Sequence, residues 1–217
     1  MASMRTHVAA AAMLLLLTGP GLAAESVPSE SSLRRSLDAA SVALGPDSCS
    51  GVLAEDPQLI LTARHCIKDA GQSIPVRLSN GERRTAWIVA TDQVADQAVL
   101  FLEDPAPLRP LSIARRREVP GTVLYFEGHP LRPRFQRARL DRICRCPSLP
   151  QLPNALFTSI DGTPGDSGAP LVDAEAHVVG LVHGGAQCQI ATPADTLLHL
   201  VDHFFDSDEL QIPTPPH

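Results

Sequence analysis

Short runs of apolar residues, separated by Gly, Pro, Asn and Asp, recur along the chain from residue 49 onward. Such runs, bounded by turn-forming residues, are typical of β-strands. One pair of runs flanks Asn80-Gly81, a dipeptide that favours the tight turn of a β-hairpin. Many short strands at this spacing predict an all-β barrel or sandwich. The predicted strands are Ser50–Ala54, Gln58–Thr62, Val76–Ser79, Arg84–Ala90, Ala98–Leu102, Thr122–Phe126, Leu156–Ile160 and His177–Val182.

Toward the end of the chain the apolar spacing changes to that of a helix. Thr192 is a suitable N-cap and Pro193 a suitable first helical residue. We therefore predict a C-terminal helix that docks on the β structure, followed by a polar tail over residues 207–217. The apolar residues of this helix are Leu197, Leu198, Val201, Phe204 and Phe205.

The first 23 residues have the order of a secretory signal peptide. Arg5 precedes an apolar run over Val8–Leu17, and small residues stand before a cleavage point after Ala23. A buried N-terminal helix is the alternative. Residues 24–45 then form an N-terminal leader, either a short helix around Ser32–Ala43 or a loose segment. Cleavage after Ala23 predicts a secreted or periplasmic protein.

The composition argues against some classes of binding partner for this protein. The chain has 217 residues, 44% of them apolar, and a formal net charge of −6. An acidic balance without a long basic run argues against a nucleic-acid partner. No stretch of about 20 apolar residues is present, so we predict no membrane-spanning helix and no membrane anchor.

The chain has five cysteines, and export makes disulfides the default interpretation. A zinc site is the alternative, although two cysteines separated by one residue do not fit the common structural spacing. The odd number leaves at least one thiol free or paired between chains. The five are Cys49, Cys66, Cys144, Cys146 and Cys188.

Three short patterns, in chain order, carry residues suited to acyl transfer. His65 stands at the end of a predicted strand, Asp96 opens another, and Ser167 lies in a Gly- and Pro-rich loop. A nucleophilic serine needs a base that takes its proton, an acid that orients the base, and donors for the developing oxyanion. The backbone amides of Gly165 and Ser167 are candidate donors. An α/β-hydrolase would have Gly-x-Ser-x-Gly, but residue 169 is alanine.

These patterns resemble those of the chymotrypsin/trypsin family of serine proteases, in its compact bacterial branch. The matching stretches are Cys49–Gly51, Thr62–Cys66, Asp96–Leu100 and Gly165–Pro170. The resemblance implies two six-stranded antiparallel β-barrels packed side by side, over residues 46–118 and 119–206, with the C-terminal helix in the second. It also implies a catalytic triad of His65, Asp96 and Ser167 in the cleft between the barrels, and a Cys49–Cys66 disulfide.

The same resemblance indicates where substrate binds. Gly180–Gly185 resembles the strand that binds the substrate backbone, so His183, Gly184 and Gly185 are candidate substrate-binding residues. Asp161 lies six residues before Ser167, where trypsins carry the carboxylate that binds Arg or Lys. Its alternative role is that of a turn-forming Asp before a glycine.

Two departures from the family pattern leave questions open. No Ile-Val-Gly-Gly stretch precedes Cys49, so Asp166 needs a charge partner other than a chain terminus. The family's cysteine four residues before the serine is replaced by Thr163, so Cys188 must pair elsewhere, with Cys144 or Cys146 as candidates.

The sequence therefore predicts a secreted, monomeric serine endopeptidase that acts on peptides or proteins and needs no cofactor or metal. Cleavage after basic residues is a hypothesis for its specificity, based on Asp161 alone. The alternatives are an inactive precursor, activated when residues 25–45 are removed or a partner binds, and a non-catalytic binding protein.

Overall fold

Twelve antiparallel strands within the described residues, 28–45, 49–128, 133–184 and 189–206, form two closed barrels in this computed structural model. Each barrel has six strands, and a helix follows the last strand of the second. The two-barrel, all-β fold with a C-terminal helix is therefore confirmed.

The first barrel is preceded by a helix and contains strands β1–β6. Their order around the barrel is β1-β2-β3-β6-β5-β4, closed by pairing of β1 with β4. The predicted Asn80-Gly81 hairpin joins β4 to β5. The elements are α1 (Glu30–Ala40), β1 (Ser41–Leu44), β2 (Cys49–Leu53), β3 (Leu59–Ala63), a 3-10 helix (Arg64–Ile67), β4 (Ser73–Leu78), β5 (Arg83–Asp92) and β6 (Gln97–Leu102).

The second barrel repeats the same strand order, β7-β8-β9-β12-β11-β10, and also closes. The connection over residues 103–122 joins the barrels and contains the predicted boundary at 118/119. The elements are β7 (Val123–Gly128), β8 (Arg134–Cys144), β9 (Ala155–Thr158), β10 (Pro170–Val172), β11 (Val178–Gly184), β12 (Gln189–Pro193) and α2 (Ala194–Asp206).

Several sequence-based boundaries differ from the structure. The predicted leader, 24–45, includes β1, which pairs with β2 and β4, so the first barrel begins at residue 41 and not at 46. Thr192 and Pro193 belong to β12, and α2 begins only at Ala194. Pairing with β11 holds those two residues in the sheet and overrides their suitability for a helix start. The signal peptide and polar tail lie outside the described residues.

Helix α1 begins with a side-chain cap and continues directly into β1. The Ser29 hydroxyl accepts the amide hydrogen of Ser32 at 3.2 Å, which satisfies one of the free donors of the first turn. Leu33 and Leu37 lie on the buried face of the helix. Because β1 belongs to the first barrel while α1 contacts β7 of the second, the N-terminal segment bridges the two barrels.

Helix α2 forms the reciprocal bridge. It follows the second barrel but packs on β5 and β6 of the first. Leu197 and Val201 are buried as predicted, and Phe204 contacts Phe101, whereas Phe205 is exposed. No helix among the described residues is long and apolar enough to cross a membrane.

A fully buried glutamine links the two barrels at the N-terminal end of α2. The amide nitrogen of Gln97 donates to Thr192 Oγ1 at 2.9 Å and to the carbonyl of Pro193 at 3.0 Å. Its amide oxygen accepts from Thr196 Oγ1 at 2.6 Å. These three bonds use both ends of the amide, so the buried polar group is satisfied entirely across the interface.

A buried carboxyl group lies where α1 covers β7. The Glu127 side chain is 2% exposed, and Arg34 Nε lies 3.8 Å from its Oε1. Neither carboxyl oxygen has a hydrogen-bond partner among the described residues. Burial and the neighbouring Asp38 carboxyl raise the pKa of Glu127 from 4.5 to about 8, and Arg34 opposes the rise to a smaller extent. Glu127 therefore keeps its proton to a higher pH than an exposed glutamate does.

This raised pKa predicts a loss of stability as the pH rises. Between pH 4.5 and about 8, folded Glu127 keeps a proton that the unfolded chain has lost, so the free energy of unfolding falls through this window. Glu127→Gln cannot ionise and should make the fall shallower. Urea unfolding at a series of pH values in the window measures this. The exposed Glu175→Gln should keep the wild-type slope, and an equal slope in both variants would contradict the prediction.

Candidate active site

The predicted base and acid, His65 and Asp96, lie side by side where β3 ends and β6 begins. Asp96 has a φ of +54°, a left-handed conformation that Asp adopts more readily than most residues. Its carbonyl accepts the amide hydrogen of Arg64, and its Oδ1 accepts that of His65, at 2.9 and 3.0 Å. The acid therefore holds the backbone of the turn that carries the base.

The other carboxylate oxygen, Oδ2 of Asp96, lies 2.5 Å from Nδ1 of His65. A hydrogen bond donated from Nδ1 fixes the tautomer in which Nε2 is the free base. The His65 side chain is 36% exposed and that of Asp96 only 9%. The base is thus accessible, while the acid that orients it is shielded from water.

A second imidazole contacts the same oxygen. His183 Nδ1, from β11 of the second barrel, lies 2.7 Å from Asp96 Oδ2. Its ring meets that of His65 edge to face, with the centroids 5.3 Å apart. The sequence suggested a substrate-binding role for His183, but the structure places its side chain on the acid of the candidate triad. A β-strand pattern alone does not say which group an inward-facing side chain meets.

Hydrogen bonds control the ionisation of Asp96. Burial raises its pKa, but the hydrogen bonds from His183 and His65 outweigh burial and lower the pKa from 3.8 to about 2. Asp96 is consequently a carboxylate at any pH where an imidazole can act as a base.

Ser167 lies in the loop between β9 and β10, against the first barrel. Its carbonyl accepts the amide hydrogen of Ser50 at 2.8 Å. The next residue, Gly168, has a φ of +83°, and a Cβ there would overlap the Ser50 carbonyl and Thr62 Oγ1 and lie 2.8 Å from the amide nitrogen of Ala63. Only glycine allows this approach, which holds the serine loop against the end of β3 at Thr62 and Ala63.

The Ser167 hydroxyl makes no hydrogen bond to His65 among the contacts of the described residues. Serine–histidine hydrogen bonds often tighten only when substrate binds. The disulfide between Cys49 and Cys66 is present and lies beside the serine, with Cys66 Sγ 3.7 Å from the Ser167 carbonyl oxygen.

Two backbone amides of this loop are available as donors. Gly165 has a φ of +100°, and its carbonyl accepts the Ser50 hydroxyl at 2.6 Å, which fixes the peptide group that follows. Within the described ranges, neither the amide of Gly165 nor that of Ser167 donates a hydrogen bond. Unused amides that flank a serine are suited to stabilising a developing oxyanion.

The charge partner of Asp166 is Arg134, on β8. The Asp166 side chain is 1% exposed, and its Oδ2 accepts from Arg134 Nη2 at 2.7 Å. The same oxygen accepts the amide hydrogen of Thr163 at 2.7 Å and its hydroxyl at 3.2 Å. Arg134 could not be identified from the local sequence, because it lies 32 residues away on a strand that no apolar run marks. Arg134 is thus the internal charge partner that the sequence left unidentified.

The structure describes only some of the predicted substrate-binding residues. Asp161 is exposed, and its backbone is held by Gln136, whose side chain bonds its amide and carbonyl at 3.1 Å. Arg134 Nη2 also donates to the Asp161 carbonyl at 3.2 Å. Gly184 ends β11 opposite Gln189. Gly185 lies outside the described residues.

The remaining cysteines are described only in part. Cys146 is disulfide-bonded and Cys144 is a free thiol, while Cys188 lies outside the described ranges. His65, Asp96 and His183 bring three ligand atoms together. The Nδ1 atoms of both imidazoles hydrogen-bond to Oδ2 of Asp96.

Comparison with known proteins agrees with this arrangement. The family model of the trypsin-like peptidase domain matches residues 49–181. This chain belongs to the trypsin-like peptidase family. Its enzyme class is accordingly that of a serine endopeptidase, a hydrolase of peptide bonds. A search of curated protein sequences found no match.

Solved structures share the fold of this peptidase at low sequence identity. Deg5 is 22% identical with a TM-score of 0.67, covering 80% of this chain and 92% of Deg5. The serine endoprotease from Yersinia pestis is 23% identical with a TM-score of 0.67, covering 84% of this chain and 69% of that one. An HtrA-type protease, AlgW, with a tripeptide is 21% identical with a TM-score of 0.70, covering 83% and 64%.

The Arg134–Asp166 pair predicts that the serine loop of this peptidase depends on β8. Arg134→Gln leaves a buried carboxylate without its cation, so we expect the free energy of unfolding to fall by about 3 kcal/mol and serine reactivity to be lost. Urea unfolding and active-site titration measure the two effects. Arg139→Gln, on the same strand, removes an exposed pair with Asp141 and should cost less than about 1 kcal/mol. Equal losses in both variants would refute the assignment.

Proposed function

We propose that this peptidase is a secreted enzyme that hydrolyses peptide bonds through Ser167, His65 and Asp96. Ser167 Oγ attacks the substrate carbonyl while His65 Nε2 takes the hydroxyl proton and then gives it to the leaving amine. Asp96 holds the His65 tautomer and stabilises its charged form. The amides of Gly165 and Ser167 bind the oxyanion, and water then releases the acyl group from Ser167.

The observation that carries this proposal is the pairing of His65 with the buried Asp96 carboxylate, at 2.5 Å, beside a serine loop with two unused amides. A binding protein without activity needs neither an oriented imidazole nor free amides next to a serine. Export rests on the signal-peptide pattern of residues 1–23, and the Cys49–Cys66 disulfide is consistent with an oxidising compartment.

The precursor alternative loses support from the position of β1. Removal of residues 25–45 would delete a strand that pairs with both β2 and β4 and would open the first barrel. Arg134 also supplies from within the chain the cation that a newly cut terminus would otherwise provide. We therefore propose an enzyme that is active without cleavage in this segment, as a monomer.

The triad assignment predicts selective labelling of Ser167. A fluorophosphonate probe should add once per molecule, and Ser167→Ala should abolish the adduct seen by intact mass. His65→Ala should slow labelling by several powers of ten, because the serine then has no base. Ser112→Ala, at an exposed serine, serves as the control and should label like wild type. Failure of the folded, oxidised wild type to label would favour the binding-protein alternative.

We further propose that the peptidase prefers Arg or Lys before the cleaved bond. The support is the exposed Asp161, whose carboxylate forms no ion pair with the described residues. On peptides that vary only at this position, Asp161→Asn should lower kcat/KM for Arg about 10- to 100-fold and leave Leu substrates nearly unchanged. Equal or better wild-type turnover of Glu or Leu peptides would contradict the preference.

A further inference from the structure

The Asp96 carboxylate receives two imidazoles where one would suffice to orient the base. Oδ2 lies 2.5 Å from Nδ1 of His65 and 2.7 Å from Nδ1 of His183, while Oδ1 accepts the His65 amide. At both short contacts a carboxylate can only accept, so each imidazole must carry its proton on Nδ1. The tautomers of both rings are therefore set by one oxygen atom.

The strand that carries His183 also holds the serine loop. Val182, the preceding residue, accepts the amide hydrogen of Gly168 at 2.8 Å and donates its own to the Ala169 carbonyl at 2.9 Å. The His183 side chain is 12% exposed and lies on the first-barrel acid. One short stretch of β11 thus contacts both the residues that follow the nucleophile and the acid of the other barrel.

We propose that His183 is a positioning residue, which holds the Asp96 carboxylate in the orientation that His65 requires. This inference rests on the proposed function of the triad. The Nδ1–H of His183 holds Oδ2 from the second barrel, while His65 holds the same oxygen from the first. Without that donor, a buried oxygen with one partner fewer is free to rotate or to admit water, and His65 is less firmly oriented.

This role differs from substrate binding in what a substitution would change. A residue that acts through Asp96 alters the chemical step, so its loss lowers kcat and leaves KM within about 3-fold. A substrate-binding residue would instead raise KM. The side chains of Asn and Leu have nearly the same shape, but only Asn offers a donor at the position of Nδ1. His183→Asn and His183→Leu therefore separate the hydrogen bond from packing.

We expect His183→Leu to lower kcat about 10- to 100-fold on a peptide substrate, as for the loss of a hydrogen bond to a buried charge. His183→Asn should restore kcat to within about 5-fold of wild type. The matched control is His177→Leu, which removes a similar contact with Asp173, at 2.9 Å, outside the site and should leave kcat unchanged. Wild-type kcat in His183→Leu, or no rescue by His183→Asn, would overturn the proposal.

A spectroscopic measurement tests the contact without relying on activity. In protein labelled with ¹⁵N-histidine, wild type should show two low-field exchangeable protons bonded to imidazole nitrogen, one from each ring on Asp96. His183→Asn should lose one signal and keep that of His65. Absence of the His183 signal in wild type would refute the contact. If both signals appear but Ser167 fails to label with the fluorophosphonate probe, the His183–Asp96 hydrogen bond is confirmed and the proposed function is wrong. The same NMR measurement tests the hydrogen bond if His183→Leu does not fold.

Discussion

The meeting of two barrels around buried polar groups is the constraint on which this structure depends. Asp96 and Gln97 are adjacent residues at the start of β6, and both are bonded to the second barrel. Asp96 reaches His183 on β11, and Gln97 reaches Thr192, at the end of β12. In a buried interface an unpaired amide or carboxylate is costly. The correct approach of the barrels therefore satisfies these groups, and a misplaced barrel would leave both of them unpaired.

The buried carboxyl groups of Asp96 and Glu127 show how strongly nearby hydrogen-bond donors affect the pKa of such a group. Burial raises the pKa of both Asp96 and Glu127. Asp96 has donors on both oxygens, and its pKa falls to about 2. Glu127 has no hydrogen-bond donor among the described residues and lies near another acid, Asp38, and its pKa rises to about 8. The same side-chain chemistry thus yields a permanent anion at the candidate active site and a neutral group under α1.

The sequence predicted the local parts of this arrangement well. His65, Asp96 and Ser167 each lie within a short, recognisable stretch of sequence. Each sits in a turn whose geometry needs particular neighbouring residues, such as Gly168 after Ser167. The apolar runs similarly marked strands that are buried. Strand β8 was missed because charged or polar residues separate its apolar ones, so that it contains no apolar run, and β1 was missed because it follows a helix without a turn. The contacts of Arg134 and His183 depend on which strands become neighbours, and no local pattern carries that information.

The position of Arg134 links the assembly of the serine loop to the folding of the second barrel. The buried Asp166 carboxylate needs a cation, and a free chain terminus can supply one only after it has been cut and delivered to the site. Strand pairing brings an arginine on β8 to Asp166, since β8 lies between β7 and β9 in the closed barrel. Its guanidinium also donates to Thr163 Oγ1, so one side chain fixes both ends of the turn before Ser167. The turn before Ser167 is thereby completed by the same strand pairing that closes the barrel.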